Sequence, residues 1–260
     1  MSESHSERIR TEIRDHTLLI TIDRPEARNA FDGAMARRME MALDRFDEDD
    51  DLWVAIIRGE GTSFSAGQDL IAARKGDMAI APRRGGFGVM GVPPAKPLIA
   101  AIDGTAYAGG MELVLSCDLI VATTASKFGL MEVKRGLLAV GGGCFRLPRR
   151  LPYHVAMEMV LTGEPRSAEE MHRLGLVNRL AAPGQALDTA LELADQLGRN
   201  SPIAVRAAKE IVARSYAEQW TDADGWKLQM GPFERVQGSE DLREGLAAFA
   251  EKREPVWKGR

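Results

Sequence analysis

A single carboxylate stands out in the segment DGTAYAGGMELVLSCD, residues 103–118. Glu112 follows two glycines, and apolar or small residues surround it on nearly every side of a predicted helix. A helix that is apolar on all sides is buried, and a buried charge without a partner costs several kcal/mol. Glu112 therefore requires a buried ion-pair partner, a raised pKa or a cavity that admits a substrate. Burial raises a carboxyl pKa, which suits proton transfer near neutral pH.

The two glycines before Glu112 indicate a site for a negatively charged oxygen. Gly109 and Gly110 stand where a predicted strand turns into the helix, so their N–H groups belong to its unpaired first turn. Such donors can stabilise a carbonyl oxygen that gains charge, although the glycines could simply permit a tight turn. A similar turn, SFSAGQDL at 63–70, follows the preceding predicted strand. Two turns of this kind could place two N–H donors on one oxygen.

A second carboxylate, Glu132, lies in KFGLMEVKRG near the end of a short predicted strand. The nearby Lys134 and Arg135 leave open that Glu132 is only a salt-bridged surface residue. The segment GGGCFRLPRR, 141–150, lacks the Lys-Ser/Thr of a phosphate-binding loop, and we interpret it as a helix start with a basic end. Together, the two carboxylates and the glycine turns predict proton transfer beside a stabilised enolate.

The elements that must position these groups change in character along the chain. Up to about residue 150, strand-like and helix-like patterns alternate, beginning with a hairpin of 9–14 and 17–22 and a helix capped by Asn29 or Asp32. Residues 72–95 are predicted to be irregular. The rest of the chain is predicted to be helical, at 153–161, 167–174, 184–198, 202–216, 223–235 and 239–252. Ser167 with Glu170 predicts a capping box, and Ser201-Pro202 predicts a helix start.

Composition limits the function classes. The chain has 260 residues, 45% of them apolar, and a formal net charge of −4, which gives no overall attraction to nucleic acid or to an anionic membrane. Residues 1–10 resemble neither a signal peptide nor an anchor, and no apolar run approaches the ~20 residues of a spanning helix. The four histidines are scattered without metal-ligand spacing, so no metal is expected. Cys117 and Cys144 are predicted to be free thiols of a cytoplasmic protein.

Five segments, in order along the chain, resemble the enoyl-CoA hydratase/isomerase family, also called the crotonase family. The longest is IAAIDGTAYAGGMELVLSCDL at 99–119. The others are IDRPEARNAF at 22–31, FSAGQDL at 64–70, FGLMEVKRGLLAVGGG at 128–143 and AFAEKREPVWKGR at 248–260. Several of them look especially like the carnitinyl-CoA dehydratases within the family.

The resemblance implies an α/β fold and an acyl-CoA substrate. Residues 1–200 would form a spiral core of ββα turns, and residues 201–260 a helical region that assembles a homotrimer or a dimer of trimers. Coenzyme A would enter as part of the substrate, and no separate cofactor is expected.

The resemblance also implies site residues. Backbone N–H groups of Gln68 and Gly109 would form the oxyanion hole, and Glu112 and Glu132 would be the catalytic carboxyl groups. Contacts with CoA are expected from the same turn and from the last helix. These candidates are Ala66, Gly67, Gln68, Asp69, Leu70, Gly109, Phe249 and Lys252.

The implied activity is reversible syn addition of water to a trans-2-enoyl-CoA, with Glu112 as base and Glu132 as acid. Alternatives are a carnitinyl-CoA-type dehydratase, an enoyl-CoA isomerase, or an idle homologue that only binds CoA or protein. Three departures from the family pattern bear on the site. Met131 replaces a usual proline and Ala139-Val140 a common Pro-Gly, which affects the acyl site, whereas Ala108, in place of a glycine, is expected to be innocuous.

Overall fold

A computed structural model describes residues 8–260 of the chain. The expectation about the amino terminus concerns residues 1–10, of which 1–7 lie outside the described part. The strands, in chain order, are β1 Ile9–Arg14, β2 Thr17–Ile22, β3 Val54–Gly59, β4 Ser63–Ser65, β5 Ile80–Ala81, β6 Gly85–Gly86, β7 Leu98–Ile102, β8 Thr105–Tyr107, β9 Leu119–Thr123, β10 Lys127–Gly129, β11 Arg166–Ser167 and β12 Arg179–Ala181.

Eleven α-helices accompany these strands within residues 8–260. They are α1 Gly33–Glu48, α2 Leu70–Arg74, α3 Gly109–Val114, α4 Gly143–Arg150, α5 Tyr153–Thr162, α6 Ala168–Arg173, α7 Ala186–Gly198, α8 Pro202–Glu218, α9 Asp222–Leu228, α10 Met230–Gly238 and α11 Glu240–Glu251. Short 3₁₀ helices lie at Pro25–Ala27 and Glu132–Arg135.

Two sheets carry the core. The larger has the order β1-β2-β3-β7-β9-β12 and the smaller the order β11-β10-β8-β4. The chain enters the larger sheet at β3, β7 and β9, and each time it continues directly into a strand of the smaller sheet. A helix follows each pair, and the neighbouring strands β3, β7 and β9 are parallel. This repetition is a spiral of ββα turns, as predicted.

Each face of the larger sheet is covered by a separate apolar cluster. Ala55 and Ile57 of β3 face the main core, whereas Val54 and Ile56 face a second cluster that contains α7. Successive side chains of a strand point to opposite faces, so a strand buried on both faces must be apolar throughout. This explains why β7, LIAAI, is apolar throughout and why β3 begins with the apolar run Val54–Ile57.

Helix starts follow the side chains that can cap them. Asp32, not Asn29, caps α1 by accepting the Met35 N–H at 2.9 Å. Asn29 instead donates to the carbonyl oxygens of Glu60 and Ser63, which fixes the chain beside β4. Ser201 caps α8 as predicted, by accepting the Ala204 N–H at 3.2 Å.

Only half of the predicted capping box at Ser167 forms. The Ser167 hydroxyl accepts the Glu170 N–H at 3.2 Å, but the Glu170 carboxylate pairs with Arg166 at 2.9 Å instead of returning to the cap. A complete box occurs at Thr221 and Asp224, where none was predicted. An arginine beside the cap can therefore divert the reciprocal hydrogen bond.

Two further predictions of secondary structure were wrong. The single helix predicted over 223–235 is two helices, α9 and α10, which meet at Gln229. Pro232 lacks an N–H and its ring clashes with the carbonyl four residues before it, so α9 cannot continue through it. Residues 72–95 are not irregular throughout, since they contain the end of α2 and the β5–β6 hairpin.

The helices after Asn200 bury few of their side chains against the rest of the chain. Helix α8 is tied to the larger sheet by Lys209, whose ammonium donates to the Asp118 carboxylate at 2.5 Å and to the Lys96 carbonyl at 2.8 Å. Apolar side chains are nevertheless exposed along this region. They are Val212, Tyr216, Trp226, Met230, Phe233, Leu246, Phe249 and Val256.

Candidate active site

Glu112 lies on α3, whose six residues are all buried. The short helix follows β8 directly, because Gly109 and Gly110 allow a close approach of neighbouring backbone. A Cβ atom on Gly110 would lie 2.1 Å from the Ser65 carbonyl oxygen. Glycine is therefore required at this position, and the tight turn brings α3 against β4.

Backbone donors, and no lysine or arginine ion pair, hold the Glu112 carboxylate. The Gly143 N–H at the start of α4 donates to Glu112 Oε1 at 2.9 Å, and the backbone of Gly141 lies against the other oxygen, since a Cβ atom there would be 2.7 Å from Oε2. Glu112 forms no salt bridge within residues 8–260. Burial raises the pKa of Glu112, while the backbone amides of Gly143 and Gly141 and the positive charge of Arg146 act in the opposite direction. The carboxylate is thus held in place without being neutralised.

Glu132 faces the same cavity without any protein partner. Both of its carboxylate oxygens are buried and accept no hydrogen bond from the described residues. Lys134, the partner that the sequence suggests for it, pairs with Glu164 at 2.6 Å instead. Burial raises the pKa of Glu132 to about 7; the nearby N–H of its own backbone acts in the opposite direction, and the negative charge of Glu112 adds a smaller rise. A buried polar group with no partner indicates that a ligand or water completes its hydrogen bonds.

The two candidate oxyanion donors border one another. No acceptor among the described residues is paired with the N–H of Gln68 or Gly109. A Cβ atom on Gly67, the residue before Gln68, would lie 2.7 Å from the Gly109 nitrogen. The two glycine turns are therefore in contact, and both donors line the cavity into which the carboxyl groups face.

The cavity has a volume of about 920 Å³, which is large enough for an extended small molecule. Its apolar wall comes mainly from three segments, around 70–80, 86–91 and 131–145. The principal lining residues are Ala66, Gln68, Leu70, Phe87, Met90, Tyr107, Gly109, Glu112, Met131, Glu132, Leu137, Leu138, Val140 and Phe145. Basic side chains of Arg28, Lys134 and Arg135 also border it.

One cavity wall, the segment 79–92, is fixed to α1 by a buried arginine; we call this segment the strap. The Arg84 guanidinium, 8% exposed, pairs with Asp44 at 2.8 Å and with Asp47 at 2.7 Å. Glu40 accepts the N–H groups of Arg83 and Arg84 at 2.8 and 2.5 Å. These bonds hold the strap against α1 at Arg83 and Arg84, and Phe87 and Met90, further along the strap, line the cavity.

Phe87 occupies the space that a side chain at Gly109 would need. Its ring stacks on Phe31, with ring centroids 4.3 Å apart and planes within 5° of parallel. A Cβ atom on Gly109 would lie 2.7 Å from the Phe87 ring. The strap thus closes over the turn that carries the Gly109 N–H.

Some predicted contact residues lie away from the cavity. Ala66, Gln68, Leu70 and Gly109 line it, but Gly67 and Asp69 do not. Asp69 has a structural role: it caps α2 through the N–H groups of Ile71 and Ala72, and pairs with Arg24 at 2.7 Å. Gly67 adopts φ +97°, a conformation that favours glycine. For these two residues the turn geometry explains the residue type.

Phe249 and Lys252 are not near the cavity of their own chain. Both are exposed near the end of α11, with Phe249 86% exposed. A single chain therefore does not bring them together with the other candidates, and their role stays a prediction.

The three departures from the family pattern have different structural settings. Met131 and Val140 line the cavity, and Val140 is 82% exposed, whereas Ala139 is buried. Ala108 adopts φ +50° and ψ −126°, a region that L-residues rarely occupy. The turn keeps its form, but alanine introduces backbone strain there that glycine would not, so this departure has a cost that was not expected.

Sequence reasoning does not identify several residues of the site. It assigns Gly141 and Gly143 only to a helix start, although a run of glycines at such a start signals exposed amides. Phe87, Met90 and Arg146 carry no sequence signal, because their contacts come from segments far apart in the chain. Within residues 8–260, no cluster of His, Cys, Asp and Glu side chains could hold a metal ion.

Comparison with known proteins identifies the family. A family model described as "Enoyl-CoA hydratase/isomerase" matches residues 12–260. The enoyl-CoA hydratase EchA19 of Mycobacterium tuberculosis is 40% identical over 256 residues, covering 96% of each chain. A carnitinyl-CoA dehydratase of Salmonella enteritidis is 43% identical, over 94% of this chain and 95% of its own. The solved structure of an enoyl-CoA hydratase from Mycobacterium tuberculosis H37Rv is 48% identical, with a TM-score of 0.94 and coverage of 98% and 100%.

The chain belongs to the enoyl-CoA hydratase/isomerase family. Its ββα spiral with carboxy-terminal helices is the crotonase fold predicted from the five sequence segments. No helix of the described part of the chain is both long and apolar enough to span a bilayer.

Proposed function

We propose that this protein is an enoyl-CoA hydratase, a hydro-lyase that adds water reversibly to a trans-2-enoyl-CoA. One observation carries the proposal: two carboxyl groups from separate turns of the spiral border one cavity with two unpaired backbone N–H groups. The names of the relatives, hydratases and dehydratases of CoA thioesters, support the same reaction type.

In the proposed first step, the thioester oxygen accepts hydrogen bonds from the N–H groups of Gln68 and Gly109. A water molecule lies between Glu112 and Glu132. Its oxygen bonds to Cβ while Glu112 accepts its proton, and the electron pair of the Cα–Cβ double bond moves toward the thioester. The negative charge that develops on the thioester oxygen is stabilised by the two amides, an effect worth about 3 kcal/mol for each donor in comparable sites.

In the second step, neutral Glu132 donates its proton to Cα, and the enolate returns to a thioester. Glu112 is then protonated and Glu132 ionised, so one proton passes between them through water before the next turnover. In this proposal both carboxyl groups face the same side of the bound enoyl chain, so the hydrogen and the hydroxyl add to the same face. The reverse sequence removes water from a 3-hydroxyacyl-CoA.

A carnitinyl-CoA dehydratase is the second candidate, favoured by relatives of that name at 41–44% identity. A dehydratase would use Glu112 and Glu132 with their acid and base roles reversed. The difference between the two activities must therefore lie in the shape and charge of the acyl pocket. The exposed wall around Leu137, Leu138 and Val140 is aliphatic, and the other charged groups that border the cavity are basic. An aliphatic wall suits an uncharged acyl chain better than the quaternary ammonium of a carnitinyl group.

An isomerase and an idle homologue have less support. Isomerisation needs one base to move a proton between carbons, whereas this cavity is lined by two carboxyl groups. An idle homologue predicts a misplaced Glu132 or a blocked cavity. The open cavity bordered by both Glu112 and Glu132 argues against an idle protein.

The test is loss of the conjugated enoyl absorbance with a panel of trans-2-enoyl-CoAs of different chain length, together with carnitinyl-CoA assayed for dehydration. We expect hydration of uncharged enoyl-CoAs by the wild-type protein. Glu112→Gln should lower the rate by about 10²–10⁴-fold, the usual contribution of a general base. Glu169→Gln, which replaces an exposed carboxylate on α6, is the matched control and should retain full activity. A wild-type protein inactive toward every thioester in the panel would refute the proposal.

We further propose a homotrimer or a dimer of trimers that assembles through the carboxy-terminal helices. The exposed apolar side chains of α8–α11 support this, since assembly would cover them. In such an assembly Phe249 and Lys252 could reach CoA bound mainly to another subunit. Molar mass from light scattering tests the assembly. A cytoplasmic location also stays a prediction, and the free thiols of Cys117 and Cys144 are consistent with it.

A further inference from the structure

Arg146 is a half-buried arginine on α4 without a carboxylate partner. Its Nη1 donates to the Ser116 hydroxyl at 2.8 Å, and its Nη2 donates to the Met90 carbonyl at 2.6 Å. Arg146 forms no salt bridge with any residue of the described range 8–260. A guanidinium removed from water is costly unless a negative charge lies nearby. Both hydrogen-bond acceptors are neutral, so the compensating charge must come from another group.

That charge belongs to Glu112. The Ser116 hydroxyl, which accepts from Arg146, donates to the Glu112 carbonyl oxygen at 2.9 Å on the same helical turn. A Cβ atom on Gly141 would lie 2.7 Å from Glu112 Oε2, and one on the adjacent Gly142 would lie 3.1 Å from the Arg146 side chain. The carboxylate and the guanidinium therefore lie against neighbouring glycines of one turn.

The influence of this charge is unequal between the two carboxyl groups. The positive charge of Arg146 lowers the pKa of Glu112 against the effect of burial. No positive charge acts on Glu132 in the same way, and the nearby Glu112 raises its pKa further. The other titratable groups near the pair are the Cys144 thiol, and Arg150 and Cys117, which act on Arg146. None of these provides a second cation for Glu132.

We propose that Arg146 is a positioning residue that keeps Glu112 ionised from behind the cavity wall, and so determines which carboxyl group is the base and which is the acid. Arg146 does not line the cavity, so it acts through Glu112 and not on the substrate. Its contacts also join α4 to the strap at Met90 and to Ser116, just after α3, which restrains the guanidinium relative to Glu112. The kinetic part of this inference rests on the proposed hydratase function.

The kinetic test compares Arg146→Gln, Arg146→Lys and the control Arg149→Gln, which removes an arginine from the same helix. Without the cation the ionised form of Glu112 is less stable, so the acidic limb of the kcat–pH profile should move to higher pH. At pH 6 we expect a loss of kcat on the order of tenfold or more in Arg146→Gln. Arg146→Lys keeps the charge and should keep the position of the limb, while Arg149→Gln should match the wild type. An equal loss at every pH would indicate a structural role only and overturn the proposal.

A second measurement does not depend on turnover. In protein labelled with ¹³C at the glutamate carboxyl carbons, the Glu112 resonance is assigned by its absence in Glu112→Gln and titrated by NMR. Its midpoint should rise in Arg146→Gln and stay unchanged in Arg149→Gln; if Arg146→Gln does not fold, Arg146→Met replaces it. An unchanged midpoint overturns the proposal whatever the activity. A raised midpoint in a protein that hydrates no enoyl-CoA would support the role of Arg146 and refute the hydratase function.

Discussion

The Gly143 N–H donates to Glu112 Oε1 at 2.9 Å, whereas no group of the described residues donates to either carboxylate oxygen of Glu132. The protein therefore holds the Glu112 carboxylate before any ligand binds, whereas the hydrogen bonds of the Glu132 carboxylate must come from a ligand or from water. This difference has measurable consequences, because an unpartnered buried acid destabilises the fold when it ionises.

Glu132→Gln should make the protein more stable at alkaline pH while it abolishes hydration. The folded-state pKa of Glu132, about 7, is above its ordinary value of 4.5, so the stability that it contributes is complete below pH 4.5 and lost as the pH rises through 7. Allowing for partial solvent access, the variant should be more stable than the wild type by about 1–2 kcal/mol at pH 9 and nearly equal at pH 4.5. Urea unfolding at fixed protein concentration measures this, with the exposed Glu169→Gln as the control. A variant less stable at pH 9 would contradict it.

Ala108→Gly should stabilise the protein by about 1 kcal/mol. The strained backbone at φ +50° costs about 1–3 kcal/mol for alanine, and glycine would relieve this strain. The greater conformational freedom of glycine in the unfolded chain offsets about 0.4–1 kcal/mol of the stabilisation. Thermal unfolding of the two proteins gives the difference. The control is Ala106→Gly, a buried β8 residue without a positive φ, which should be destabilising. A destabilised Ala108→Gly protein would show that the turn is not under strain.

Arg84→Ala should destabilise the protein by about 3 kcal/mol, because Asp44 and Asp47 would lose a buried cation. It should also raise KM, since the strap would no longer hold Phe87 and Met90 in place. Arg83→Ala removes a mostly exposed arginine that pairs with the same Asp44, and should change stability by at most about 0.5 kcal/mol. Hydrogen exchange of 79–92 should accelerate only in the first variant. Equal effects of both substitutions would contradict the role assigned to Arg84.

Gly109→Ala should reduce hydration by about 10²–10³-fold. The new methyl group would lie 2.7 Å from the Phe87 ring, so either the ring or the Gly109 N–H must move. Gly198→Ala is the control, since nothing lies within 4 Å of a Cβ atom there. Steady-state kinetics should show the loss mainly in kcat. Unchanged kcat in a folded Gly109→Ala protein would remove this amide from the mechanism.

The sequence predicted those parts of the molecule that depend on short-range patterns. The buried strands, the hairpin of β1 and β2, the Asp32 cap and the buried α3 with Glu112 all follow from apolar periodicity or from a polar residue at a helix start. Resemblance to the family supplied the spiral order of the ββα turns. The role of each carboxyl group as acid or base was likewise implied by the family.

The remaining features depend on contacts between distant segments. Arg146 meets Met90 across 56 residues of sequence, and Arg84 meets Asp44 across 40. No periodicity signals such pairs, because the charged residues taken alone resemble solvated side chains and Met90 accepts only through its backbone carbonyl. The break between α9 and α10 could have been predicted from Pro232, whereas the diversion of Glu170 to Arg166 required the fold.

The strap and the glycine turns are anchored by buried contacts, but the side chains of the aliphatic wall, Leu137, Leu138 and Val140, are 49–82% exposed. Replacements in that wall can therefore accumulate during evolution without disturbing the groups that carry out the reaction. Descendants of this chain could acquire new acyl preferences by a few changes there, each tested by selection while hydration itself continues.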